Sequence, residues 1–273
     1  MEIMEDKWDI KSLFIILEKL TQNKKKMYSI SDLKNMLFID IETSTAAKDL
    51  DSFAEIIGEN AYSHWEKKAK YGRQSKSEYE GVSDADMYIK DAALYPEFGR
   101  AVVITIGQVT FPDGITPTPK IKSFYGDDEK NTLKEFMDTM ALIFKANPKI
   151  QIVGHNIKGF DMPYLIKRSI IQGVEIPQQL HLQKLKPWEN CLLDTNEIWK
   201  FGGLNGASLS MICDLLQIPS PKQNMYGGEV SEAYYAGRLE EIKDYCEDDV
   251  IGTMNVMLKM SDMELVSKVE APF

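Results

Sequence analysis

Apolar residues follow two periods along this chain. Between residues 9 and 22, Ile10, Leu13, Phe14, Leu17 and Leu20 recur every three or four positions, which predicts an amphipathic helix. The Lys24–Lys26 run with Ser29 and Ser31 reads as a linker behind it. MLFIDI at 36–41 is nearly all apolar and partly β-branched, as expected of a central strand covered on both faces. AVVITIGQVTF (101–111) and KIKSFYG (120–126), with a Pro112-Asp113-Gly114 turn signal between them, predict a hairpin. Asp127 or Asp128 can cap a helix over 129–146, where Leu133, Phe136, Met137, Met140, Ile143 and Phe144 share one face. QIVGHN (151–156) predicts another short buried strand that leads into a helix near Phe160, and further helices are expected at about 207–217 and 238–260 with a Pro/Gly-rich loop between them. Residues 46–99 keep no clean period; their mixed charge and scattered aromatics predict a mainly helical insertion with flexible stretches around Gly72–Ser77. Strand, insertion, hairpin, helix, strand and further helices together predict an α/β fold with a mixed sheet and helices on its faces.

Composition narrows the function classes. At 44% hydrophobic the chain can build a sizeable core, and no apolar run approaches bilayer length. Cys191, Cys213 and Cys246 are odd in number and widely spaced, which argues for reduced thiols in a cytoplasmic protein and against a disulfide frame or a zinc site. The formal charge of −10 argues against a sequence-independent mode that wraps a duplex. Basic residues cluster at Lys24–Lys26, Lys67-Lys68, Lys167-Arg168 and Lys184/Lys186, and such clusters read first as solvated faces.

Three acidic elements change the picture. Asp40 and Glu42 lie two apart in the first strand, so both carboxylates point to one face while Ile41 packs behind. Asp-x-Glu also occurs at Asp127/Glu129 and Asp262/Glu264, where a cap or a solvated acid accounts for it, whereas an acid inside an apolar strand is costly unless paired or coordinated. Asp161 follows Gly154-His155-Asn156 and Phe160 at a strand end and helix start, where an acid meeting the helix dipole is the plainer reading and a third ligand the sharper one. His155 is placed beside the site. Tyr245 and Asp249 are four apart in DYCEDDV, hence one turn apart on a helix face, with Glu247 and Asp248 expected on the solvated side; Tyr28…Asp32 has the same spacing but lies ahead of the strand. Oxygen ligands without Cys or His point to Mg²⁺ or Mn²⁺, and two such ions roughly 4 Å apart are a common device for phosphodiester displacement.

FIDIET, HNIKGFD and YCEDD resemble the three exonuclease motifs of the DEDDy branch of ribonuclease H-like nucleases. More narrowly, AALYPEFGR (92–100), GHNIKGFDMPYLIKR (154–168), KPWE (186–189), LDTNEIWKFGG (193–203) and IPSPK (218–222) resemble the stand-alone 3'-5' exonucleases related to the proofreading domain of family B DNA polymerases. Asp244 stands where the competing histidine version of the third motif would begin. The resemblance implies a ribonuclease H-like mixed five-stranded sheet with helices on both faces. It also implies two divalent ions, Mg²⁺ or Mn²⁺: Asp40, Glu42 and Asp249 on one, Asp40 and Asp161 on the other, with Tyr245 orienting water or the scissile phosphate. Thr43, Asn156 and His155 would border the cleft, and Phe160 would pack near the terminal nucleotide. The expected organisation is an N-terminal extension over 1–35, an exonuclease domain over 36–262 with the insertion at about 46–99, and a tail over 263–273. The expected substrate is a single-stranded DNA 3' end, released as 5'-mononucleotides, with replication or repair proteins as possible partners. An exoribonuclease of the same fold and an inactive nucleic-acid-binding or scaffold domain are the alternatives.

Overall fold

The computed structural model describes residues 26–75, 77–184, 186, 190–219 and 225–268. The helix expected over 9–22 lies outside these residues, as do parts of the KPWE and IPSPK segments. The expected linker gives way to structure by residue 30. Ser29 and Asp32 cap each other reciprocally and start helix α1 (Ile30–Lys34), which also explains the Tyr28…Asp32 coincidence, since Asp32 is a capping acid. Strand β1 (Met36–Thr45) follows and continues well past its apolar run. Helices α2 (Leu50–Ile57), α3 (Asn60–Ser75) and α4 (Asp84–Asp91) make up the insertion, so α3 runs through Gly72 to Ser75 where a flexible stretch was expected. Next come the hairpin β2 (Gly99–Thr110) and β3 (Thr118–Tyr125), helix α5 (Glu129–Ala146) capped by Asp128, strand β4 (Gln151–Gly154) and helix α6 (Asp161–Gln172). Strand β5 (Leu192–Asp194) and helices α7 (Thr195–Lys200), α8 (Leu209–Leu215), α9 (Val230–Tyr235) and α10 (Leu239–Met260) complete the order. Among the described residues no helix is long and apolar enough to cross a membrane.

The five strands form one mixed sheet in the order β3-β2-β1-β4-β5. β1 is antiparallel to β2 and parallel to β4, so it sits at the centre and is buried along almost its whole length. Strand alternation then divides its side chains between two cores. Leu37, Ile39 and Ile41 pack with Leu133, Phe136 and Met140 of α5, while Met36 and Phe38 face Val250, Met254 and Met257 of α10. The α10 face approaches the sheet closely because Gly107 of β2 has no side chain: a Cβ there would strike Met254 and Val250. Parity therefore assigns Asp40 and Glu42 to the side of β1 that α10 covers.

The insertion carries a core of its own. Trp65 is 1% exposed, packs edge-on against Tyr88 at 5.3 Å and Phe98 at 5.0 Å, and donates its indole N–H to the Asp84 carbonyl at 2.7 Å. Residues 46–99 are thus a folded unit rather than a loose excursion.

Two acid and base assignments change in the fold. Arg168 is buried instead of lying on a solvated face, and Glu129 is neither a cap nor solvated. The Arg168 Nε donates to Glu129 at 2.8 Å and another guanidinium nitrogen donates to the Pro96 carbonyl at 2.8 Å, while the Ala101 N–H and Gln172 amide also donate to Glu129. This knot ties α5, α6, β2 and the end of the insertion together. Arg168→Ala would leave Glu129 buried and unpaired, and should lower the unfolding free energy by about 3–5 kcal/mol in a denaturant titration; a loss below about 1 kcal/mol would mean that solvent reaches Glu129 freely.

Candidate active site

β1 brings the first two acids. Asp40 and Glu42 leave the strand on its α10 side, mid-strand rather than at the expected strand end, and the pairing with β2 shifts register between Glu42 and Thr43. That bulge increases local twist just where the acids stand. α10 supplies the facing wall. Tyr245 and Asp249 lie one turn apart, and the Tyr245 hydroxyl hydrogen-bonds the Asp249 carboxylate. Between them Cys246, fully buried, points its thiol at Asp40, 3.5 Å from Oδ2 and 3.4 Å from the carbonyl oxygen. Ligand atoms of Asp40, Glu42 and Cys246 all lie within 4.8 Å of one another. Glu247 and Asp248 are half-buried rather than solvated: Glu247 accepts from Ser123 of β3 at 2.8 Å and pairs with Lys268 at 2.7 Å.

The third acid arrives from beyond β4. That strand stops at Gly154, two residues short of its expected end, because Asn156 takes a left-handed backbone with φ of 61°. The turn delivers Asp161 as the first residue of α6, 4% exposed, where its carboxylate accepts from the Ile41 backbone N–H between the two strand acids. Asp194, at the end of β5, holds the turn in place. Its carboxylate accepts the N–H groups of Asn156 at 2.9 Å, Lys158 at 3.2 Å and Asn196 at 2.9 Å. His155 has both ring nitrogens occupied, with Nε2 donating to the Ala207 carbonyl at 2.8 Å and Nδ1 meeting Thr195 at 3.0 Å, and burial holds its pKa below the ordinary value. Its side chain braces the loop behind the acids.

Electrostatics marks these four acids. Burial first, then Asp161, Asp249 and Glu42, push the Asp40 carboxyl well above its usual range; burial, then Asp249 and Asp161, do the same to Glu42. Burial also raises Asp161 to about 7 and Asp249 to about 6, with Asp194 and Asp248 respectively adding to the effect. The charges felt by Asp40 and Glu42 are all carboxylates, so the cluster calls for positive charge. Hard oxygen donors in that state fit a magnesium or manganese ion. The Tyr245 hydroxyl is raised by burial and then by the same acids, so it stays protonated and able to donate.

A cleft of about 380 Å³ opens beside Glu42, lined by Thr43 and Phe160 and, on the insertion side, by Lys90 and Leu94. The Thr43 hydroxyl is engaged with Tyr164, whose own hydroxyl donates to the Ala93 carbonyl at 3.0 Å. Phe160 stacks at 5.4 Å from Tyr164 and keeps contact with both the core and the cleft. A larger cavity of about 530 Å³ beside Arg100 and Glu129 contains none of the four acids.

Sequence reasoning did not find Asp194 or Cys246. Asp194 left a faint signal, an Asp directly before a short helix, which is an N-cap pattern. Cys246 left none beyond its place inside the third motif.

Residues 97–270 match the model of a family described as "Predicted 3'-5' exonuclease related to the exonuclease domain of PolB". Among solved structures the chain is similar to the family B DNA polymerase from the hyperthermophilic archaeon Pyrobaculum calidifontis, at 17% identity and a TM-score of 0.48, over 82% of this chain and 24% of that one. The chain therefore spans about a quarter of that polymerase. No curated protein matches it.

Proposed function

This chain belongs to the predicted 3'-5' exonucleases related to the exonuclease domain of PolB, and from that premise we propose that it removes nucleotides hydrolytically from the 3' end of single-stranded DNA and releases 5'-mononucleotides. The observation that carries this reading is the set of four carboxylates, from β1, α6 and α10, with Glu42 and Asp161 buried and Asp40 and Asp249 half-buried, gathered under mutual repulsion. Asp40, Glu42 and Asp249 would hold one Mg²⁺ or Mn²⁺ ion, and Asp40 with Asp161 a second. Such ions supply water activation on one side of the phosphate and charge stabilisation on the other.

The chain's own residues do the positioning. Ile41 fixes Asp161 through its backbone N–H, so the strand acids and the helix acid keep one geometry. Tyr245, anchored on Asp249 and held protonated, orients the attacking water or a phosphate oxygen by hydrogen bonding. Phe160 offers an apolar surface to a terminal base. Tyr245→Phe keeps the ring and removes the hydroxyl, and should lower kcat on the order of 10²-fold while KM moves little.

The reading is tested with a 5'-labelled oligonucleotide incubated with Mg²⁺ or Mn²⁺. A ladder that shortens from the 3' end, stops with EDTA and yields 5'-mononucleotides is expected. Intact substrate under all metals, or internal cuts, would refute it. Parallel DNA and RNA strands decide the sugar, and faster loss of RNA would move the assignment to an exoribonuclease.

A further inference from the structure

The cleft beside the acids has walls that the four carboxylates do not account for. One side is Phe160 at the start of α6; the other comes from the insertion, where Leu94 is 52% exposed and faces the cleft although the rest of its turn is packed. Among the described residues Lys90 is the one cation in the lining, and it lies over the Tyr79 ring at 4.5 Å, which limits where its ammonium can go. Tyr79 is in turn held by a hydrogen bond to Asp91 at 2.8 Å. Gly227 and Gly228 close the cleft. Neither has a positive φ, and a Cβ built on either would meet nothing within 4 Å. Among the described residues nothing packed against these two positions requires glycine, and both line the mouth of the cleft as exposed backbone. At about 380 Å³ the volume lies at the small end of ligand sites and suits one nucleotide, not a paired end.

We infer that the insertion is the second wall of the nucleotide site: Leu94 and Phe160 grip the 3'-terminal base from two sides, Lys90 faces its phosphate, and the bare backbone of Gly227 and Gly228 leaves room for the sugar. Lys90 and Leu94 are positioning residues that set affinity and restrict the substrate to an unpaired terminal nucleotide. This rests on the exonuclease reading for its substrate class, but it makes a claim about binding that can be measured without turnover.

The probe is thymidine 5'-monophosphate with Mn²⁺, titrated by calorimetry into the full chain and into Leu94→Ala, Gly228→Val and Lys90→Ala, with Lys145→Ala on α5 as a distant basic control. KM and kcat on labelled single-stranded DNA are measured alongside. Leu94→Ala and Gly228→Val should each raise Kd and KM about tenfold with kcat within about threefold of the parent. Lys90→Ala should weaken binding more at low salt than at high salt, and Lys145→Ala should change nothing. Leu94 is exposed, so its truncation leaves the fold intact even if the glycine variant folds poorly. Cleavage and binding within twofold of the parent in Leu94→Ala would overturn the inference and leave the exonuclease reading standing. Mononucleotide binding that these variants lose, in a protein that cuts no 3' end, would support the site and refute the reaction. A parent that neither binds nor cuts would refute both.

Discussion

Asp40→Asn should eliminate metal-dependent shortening of a 3' end, with a rate loss on the order of 10³-fold or more, and should at the same time raise the melting temperature of the metal-free protein. The first half follows from position. Asp40 stands nearest the centre of the cluster, feels the other three acids at once and would contact both ions, so no neighbour can stand in for it. The second half follows from what the carboxylate costs. Burial and three neighbouring acids oppose its charge, while asparagine keeps the shape, keeps an oxygen for the Cys246 thiol and removes the repulsion. Most substitutions in a packed interior destabilise, so a rise in melting temperature is a sharp signature of stored electrostatic strain. The measurement is differential scanning fluorimetry with and without Mn²⁺, paired with the labelled-oligonucleotide assay. Mn²⁺ should stabilise the parent and stabilise the variant much less. A variant retaining a tenth of parental activity, or melting lower without metal, would remove Asp40 from the centre of the scheme.

The affinity for Mn²⁺ should climb by on the order of 10²–10³-fold between pH 5 and pH 8, because each ion must displace protons. Asp161 titrates near 7 and Asp249 near 6, both above the ordinary 3.8. Across the window from about 4 to 7 the folded, metal-free protein therefore holds protons that the unfolded chain has already released. Stability of the metal-free form is then greatest toward the acid end of that window and falls as pH rises through it, by a few kcal/mol. Bound metal reverses the slope, since it replaces the protons with fixed positive charge. Calorimetric titrations in buffers of different ionisation enthalpy would count the protons released. A pH-independent affinity, or no proton release near pH 6, would show that the acids are already ionised without metal.

The residues that sequence reasoning located are those whose role depends on local geometry. Asp40 and Glu42 were legible because an apolar strand with period two leaves no other account of two acids on one face. The α5 stripe and its Asp128 cap were legible for the same kind of reason, a period of 3.6 behind an N-cap. Tyr245 and Asp249 needed their order in the chain as well as their spacing, since Tyr28 and Asp32 share that spacing and Asp32 only caps α1. What escaped was decided by distant partners. Glu129 reads as a helix-start acid and Arg168 as part of a basic surface until folding brings them together across 39 residues. β5 has three residues, too few to show alternation, and its Asp194 gains meaning only from the N–H groups of the 156–158 turn. In the insertion, Trp65, Tyr88 and Phe98 looked scattered because they come from α3, α4 and the turn before β2, so no single element carries their period.

The Cys246 thiol meets Asp40 across 206 residues of chain, and that separation has a consequence for when this protein can act. During synthesis the strand carrying Asp40 and Glu42 emerges well before α10. Closing so long a loop costs entropy that only the finished packing between sheet and helix repays. A chain whose α10 has not docked therefore holds three of its four acids, Asp40, Glu42 and Asp161, with no partner wall opposite them. On the proposed reading, the four-acid site is complete only once α10 has docked on the sheet.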